Sequence, residues 1–274
     1  MGKLNGSRPV LSSYQKEVLD GCMLGDGNLQ LKSRYPTYQH GCGDIFSSKE
    51  FLVWLFKELG FYSTSKFYDY DTEIKGYGKY KTHHANTKII PSLLDEYYRW
   101  YPNSTKKQII PKDLRLTKTS MLHWYLGDGH YARHNGENIT FSTDCFDKES
   151  VEFIAKQLMS ILDDCTGVMV YEHKKGKYRI RLQRITAYKF MKFIYPDEMP
   201  PSMKYKFRDM NELNLLIKSI CKHCKSYIAF VTPYCPTCRL RSHIEPEEYS
   251  IDGVPFHKIK QKDTGMTKYI YRSY

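Results

Sequence analysis

The chain has 274 residues, and its 42 Lys and Arg against 30 Asp and Glu give a formal net charge of +12 and a sequence pI near 9.1. Charged residues are 26% of the total, the globular norm, so the imbalance is one of sign and calls for a polyanionic partner, nucleic acid first. Apolar residues at 41% allow a sizeable core and exclude wholesale disorder. No apolar run of ~18 residues occurs, and the stretch from Met1 to Tyr14 has no apolar segment, so neither a membrane span nor a secretory signal is expected; the chain is expected to be intracellular.

In chain order, an apolar helix opens at a Ser12-x-x-Gln15 capping box and stops at Gly25-Asp26-Gly27. Phe46-Ser47-Ser48-Lys49-Glu50 opens a second helix through Leu59, with Gly60 as its stop. A strand follows in which Lys79, Lys81 and His83 alternate with Tyr80 and Thr82, and a third helix closes at Tyr101-Pro102. His83 and His84, adjacent in a strand, point to opposite faces, one toward a ligand and one into the packing. Trp54 and Trp100 fall on amphipathic helices and are expected in the core.

The pattern then recurs. Met121-Leu122-His123-Trp124-Tyr125-Leu126-Gly127-Asp128-Gly129 repeats Leu19 to Gly27, with 102 residues between Asp26 and Asp128. Phe146-Asp147-Lys148-Glu149-Ser150 opens a helix through Leu162, and Tyr195-Pro196 closes another. In the strand between them Arg179, Arg181 and Gln183 share one face, with Ile180 and Leu182 on the other. The reading is an α/β (α+β) protein of two pseudo-symmetric α-β-β-α-β-β-α repeats. Each antiparallel sheet turns an apolar face to its helices and a basic face outward. Lys79, Lys81, His83, Arg179, Arg181 and Gln183 are the candidate DNA-binding residues, since a concave face of this kind can follow a duplex groove.

Two Gly-Asp-Gly-terminated helices about a hundred residues apart, each followed by strands, resemble the single-chain LAGLIDADG homing endonucleases over roughly residues 11–210. Lys106-Lys107-Gln108-Ile109-Ile110-Pro111 followed by Thr119 to Gly129 is similar to the K-K-x-I-P … S-L-x-x-W-F-x-D-D-G stretch of the intron-encoded monomeric branch. Met203-Lys204-Tyr205-Lys206-Phe207 is similar to that branch's M-x-Y-K-L segment. The resemblance implies saddle-shaped sheets and cleavage of both strands of a long DNA target across the minor groove by a monomer. Two departures stand out. His123 replaces a small residue, and one extra residue separates Lys106-Lys107 from Pro111, which leaves the equivalent lysine open with Lys107 preferred.

The chemistry follows from the residue types. Gly21 and Gly25, four apart, let a second backbone approach, as does Gly127. Packing the two helices side by side brings Asp26 and Asp128 together at carbonyl ends, where the helix dipole and mutual repulsion both disfavour carboxylates. Bound cations explain such an arrangement, and oxygen ligands select Mg²⁺ or Mn²⁺. Asp26, Asp128, Lys107 and Lys206 are therefore the candidate catalytic residues, with the lysines meeting charge on the phosphorane or orienting the attacking water. A splicing maturase or a DNA-binding regulator on the same scaffold is the alternative.

Cys22, Cys42, Cys145 and Cys165 are expected as small buried hydrophobes. Cys221, Cys224, Cys235 and Cys238 form two C-x2-C knuckles ten residues apart, the spacing of a structural Zn²⁺ site in a small zinc-ribbon-like module. The expected organisation is repeat one over 1–110, repeat two over 111–212, and a zinc-binding module with a basic tail over 213–274.

Overall fold

The computed structural model describes residues 10–43, 49–74, 78–102, 107–133, 136–164 and 166–218, and short strands between 250 and 270. The chain forms two compact units, Met1–Ile217 and Lys218–Tyr274. In the second, Ser250–Ile251 pairs with Val254–Pro255 and His257–Lys260 with Thr267–Ile270, both antiparallel. The four knuckle cysteines and Cys165 lie outside the described residues. Among the described residues no helix is long and apolar enough to cross a membrane.

In the first unit, repeat one comprises α1 (Ser13–Leu24), β1 (Asn28–Lys32), β2 (Tyr35–Gly43), α2 (Lys49–Glu58), β3 (Ser65–Ile74), β4 (Gly78–Thr87) and α3 (Leu94–Trp100). Repeat two comprises α4 (Lys118–Asp128), β5 (Gly129–Ala132), β6 (Asn138–Phe141), α5 (Lys148–Ile161), β7 (Val168–Lys174), β8 (Lys177–Leu182) and α6 (Arg184–Ile194), and α7 (Met210–Lys218) follows. The order of helices and strands is the one the repeat predicts. Each repeat builds one four-stranded antiparallel sheet, β1-β2-β4-β3 and β5-β6-β8-β7.

The helix boundaries have local causes. Ser12 Oγ accepts from the Gln15 amide at 3.2 Å while Gln15 Oε1 accepts from the Ser12 amide at 3.0 Å, the predicted capping box. Gln15 Nε2 also donates to the Leu59 carbonyl at 2.9 Å, tying the start of α1 to the end of α2. A second box at the start of α4, Thr117 with Ser120, escaped the sequence reading. At the end of α2, Gly60 takes φ +73°. That left-handed turn lets the Phe61 amide donate to Phe56 O at 2.8 Å and the Gly60 amide to Lys57 O at 2.9 Å.

α1 and α4 are buried on every side from Val18 to Leu24 and from Ser120 to Leu126, and they pack against each other at the centre of the unit. Trp100 is fully buried and donates from Nε1 to Asp20 at 3.3 Å, while Trp54 is only partly buried. Of the described cysteines only Cys22 is buried; Cys42 is half-buried and Cys145 exposed, contrary to the expectation for all.

The second sheet has the predicted faces. Ile139, Phe141, Val168, Ile180 and Leu182 are buried under the helices, so pairing of Thr140 and Met169 with Arg181, and of Tyr171 with Arg179, puts these residues on the open side. Gln183 lies just past the strand as the N-cap of α6.

The first sheet reverses the expected assignment. In β4 the buried residues are His83, Ala85 and Thr87, so Lys79, Lys81 and His83 belong to the helix side. Lys79 and Lys81 are exposed toward the β3-β4 turn, but His83 is 8% exposed and held by Asp69 at 3.0 Å. The open side carries Asn28, Gln30, Gln39, Lys66, Tyr68, Tyr70, Thr82, His84 and Asn86. Alternation has a period of two but no sign. Here the buried face was chosen by Ala85, which sits between His40 on β2 and Phe67 on β3.

Candidate active site

The site lies where α1 and α4 end. A methyl group on Gly25 would lie 3.5 Å from Cβ and Cγ of Asp128, and one on Gly127 would lie 3.8 Å from N and Oδ2 of Asp26. Each glycine thus lies beside the aspartate of the other repeat, with ordinary contact distance to spare. One turn earlier, a methyl group on Gly21 would overlap the Ser120 carbonyl oxygen and lie 2.9 Å from His123 Cβ. The bulk of His123 is turned away from the crossing: its ring stacks on Trp54 at 5.2 Å and 7°, and Nδ1 meets the Thr119 carbonyl at 2.9 Å. His123 is 3% exposed, and burial holds it in the neutral form.

Asp26 meets solvent and Asp128 is half-buried. Loss of hydration raises both carboxyl pKa values, and for Asp128 the charge of Asp26 adds to it, to about 8. Lys206 is the cation that opposes the shift at Asp26, and it also acts on Asp128, where Asp144 raises and Arg179 lowers the value. Asp128, raised by burial and by the charge of Asp26, is costly to ionise without positive charge close by.

Lys206 ends a 3-10 turn, Pro201–Lys206, and is 7% exposed. Its ammonium donates to the carbonyls of Tyr125 (3.1 Å), Leu126 (2.6 Å), Gly127 (3.1 Å) and Gly129 (3.0 Å). Three hydrogens shared over four acceptors saturate it, and a cation here offsets the negative end of the α4 dipole. Burial lowers its pKa to about 8 against the pull of the two aspartates. Lys107 is exposed, and its charge acts on Asp147, the N-cap of α5. Lys106 lies outside the described residues. Sequence reasoning missed Gln108, whose Nε2 donates to the Met23 carbonyl in the last turn of α1.

Of the candidate DNA-binding residues, Arg179 donates through Nε and Nη2 to both oxygens of Asp144, at 2.5 to 3.1 Å. Arg181 is exposed and lies over the Tyr171 ring at 4.7 Å. Gln183, Lys79 and Lys81 are exposed. His84, on the open face beside Tyr70, replaces His83 as the histidine available to a ligand.

The profile of the LAGLIDADG DNA endonuclease family matches residues 16–190. The chain belongs to this family. The homing endonuclease I-WcaI bound to its DNA recognition sequence shares the fold at a TM-score of 0.60 and 23% identity, over 75% of this chain and 94% of that one. The N-terminal LAGLIDADG domain of DUF199/WhiA aligns at 0.41 and 11%, over 72% and 89%. I-DmoI in complex with its target DNA aligns at 0.39 and 16%, over 68% and 98%. No curated protein sequence matches the chain. The matched span takes in most of α1 and all of α4.

Proposed function

We propose that this LAGLIDADG protein is a site-specific homing endonuclease that acts as a monomer and hydrolyses one phosphodiester on each strand of a long double-stranded DNA target. The observation that carries the reading is the reciprocal seating of Gly25 beside Asp128 and Gly127 beside Asp26. It joins two destabilised carboxylates, one from each repeat, so a single chain supplies both.

The donor set fits Mg²⁺ or Mn²⁺. Among the described residues no group of three or more His, Cys, Asp or Glu could hold a metal. Two carboxylates that leave the remaining positions to water and substrate phosphate are the mode in which Mg²⁺ binds. When bound, such ions activate water and stabilise the departing oxygen. The chain's own residues do the rest. Asp26 and Asp128 would hold the cations, and Lys206 neutralises the carbonyl end of α4. The open faces, through Arg181, Gln183, His84, Asn86 and Gln39, meet base edges and phosphates.

Cys221, Cys224, Cys235 and Cys238 would hold one structural Zn²⁺ that folds the segment around them and has no open position for chemistry. Elemental analysis of the purified chain should give one zinc per molecule, lost in the Cys221→Ser/Cys224→Ser variant; a zinc-free wild type would overturn this assignment.

The functional test is a cleavage selection. The protein and Mg²⁺ are mixed with sheared source DNA and the new ends sequenced, with Asp26→Asn/Asp128→Asn as control. One enriched site with short 3′ overhangs, absent in the control, is the expected result. Salt-sensitive binding to DNA or to intron RNA without new ends would instead establish the regulator or maturase.

A further inference from the structure

The two open sheet faces carry different chemistry. Among the described residues, the four strands of the first sheet contain no arginine, the side chain whose fork matches the two acceptors of guanine. The strands of the second contain Arg179 and Arg181. The first open face carries amides instead, and Asn28, Gln39 and Asn86 form one row across its ladder. Gln39 Nε2 donates to Gln30 Oε1 at 3.0 Å. That bond holds both side chains in place and leaves Gln39 an acceptor and a second amide hydrogen, the pair that matches N6 and N7 of adenine. In the next rows the His84 ring lies over Gly41, where a methyl group would come within 2.8 Å of Nδ1, and Tyr68 and Tyr70 expose rings 6.4 Å apart. Exposed rings of this kind suit the methyl group of thymine. Lys66 stands on the edge strand β3, where a flexible ammonium meets phosphate as a point charge.

The arginines of the second sheet are not equally available. Arg179 gives Nε and Nη2 to the Asp144 carboxylate, and a fork filled in this way cannot also grip guanine. Arg181 is exposed, lies over the Tyr171 ring at 4.7 Å and donates from Nη2 to Tyr171 Oη at 3.4 Å. A guanidinium oriented by a ring loses little further freedom when it meets a base. Arg181 pairs with Thr140 where Asn86 pairs with Gln39, so an arginine in one ladder takes the place of an amide in the other.

We propose that the DNA target of this chain is lopsided in base composition. The half under the first sheet is read as A·T pairs by Gln39, Asn86 and the Tyr68–Tyr70 rings. The half under the second sheet is fixed by one G·C pair at Arg181, while Asp144 keeps Arg179 silent. This rests on the endonuclease reading above, which supplies duplex DNA as the ligand, and it names the class of sequence that the duplex must carry. One good bidentate contact discriminates against the wrong base by roughly 5- to 150-fold, so each of these readers should leave a visible mark on the site.

The test is a binding selection that needs no cleavage. The full chain, without added Mg²⁺, is challenged with duplexes of random sequence, and the bound DNA is sequenced. Wild type should enrich sites with one A·T-rich half that requires no guanine and a G·C pair at a fixed place in the other half. Gln39→Ala should relax one A·T position by roughly 5- to 150-fold and leave the G·C pair untouched. Arg181→Gln should exchange that G·C pair for A·T, because an amide now meets the base, and leave the other half untouched. Asp144→Asn should free Arg179 and add a second G·C pair. A residue that only supports the fold would weaken all sequences alike. Melting curves identify any variant that fails to fold, in which case the wild-type profile decides alone. A G·C requirement in both halves, enrichment of no sequence, or folded variants that keep the wild-type profile would overturn this inference. If the enriched duplex is bound but never cut when Mg²⁺ is added, the endonuclease reading fails and the base readout stands.

Discussion

Asp128→Asn is expected to reduce cleavage at least about 10³-fold and, in the metal-free protein, to raise stability. The first effect follows because the asparagine keeps the shape but supplies no anionic ligand for the divalent cations. The second follows from the cost of the carboxylate itself. Burial and the charge of Asp26 raise the pKa of Asp128 to about 8, well above its unfolded value, so the folded state binds a proton that the unfolded chain releases. Stability from this group is present below the unfolded pKa, near 4, and is lost as pH rises toward 8. Because the pair still meets solvent, the expected loss by pH 7 is only roughly 1–3 kcal/mol. Chelator-treated Asp128→Asn should therefore melt above wild type at pH 7, with the gap closing toward pH 4. Asp26→Asn should follow the same direction. A variant that cuts normally, or that melts below wild type at pH 7, would contradict this account.

Gly21→Ala is expected to destabilise the chain by roughly 2–3 kcal/mol, a fall of about 5–10 °C in melting temperature. In an ordinary helix interior the same change stabilises by about 1 kcal/mol. Here the added methyl would overlap the Ser120 carbonyl oxygen and crowd His123 Cβ at 2.9 Å, and neither a backbone carbonyl nor a Cβ can turn aside. Only separation of α1 from α4 relieves the clash, and these helices are buried on every side. Gly127→Ala, on the same seam, is the control. Its methyl would have 3.8 Å of room beside Asp26, so helix propensity should prevail and stability hold or rise. Thermal melts of both variants check the sign. Equal behaviour would show that the seam is not tightly packed at Gly21.

The fold and the central pair of the site were legible because their determinants are local and doubled. The box at Ser12 and Gln15, the stop at Gly60, the cap at Asp147 and the closings at Tyr101 and Tyr195 are each settled within a few residues of chain. Their recurrence at similar offsets supplied the two-repeat topology. Less was legible where a side chain's partner is remote. The expectation for repeat one placed a lysine, Lys107, at the site, but the Met23 carbonyl, 85 residues from Gln108 in the chain, receives the glutamine instead. The charge of Lys206 acts on both aspartates, yet its hydrogens are spent on the carbonyls that end α4.

By itself, then, the sequence determined the two repeats, the caps that bound their helices and the two aspartates at the helix ends, because short-range hydrogen bonding and helix periodicity settle these. Only the tertiary structure decided that His84 and not His83 looks out of the first sheet, since alternation needs neighbouring strands to say which side is covered. It alone decided that Arg179 is held by Asp144, and that one helix end is capped by an amide and the other by an ammonium. Those choices depend on which groups, tens of residues apart in the chain, are left within reach once α1 and α4 have packed.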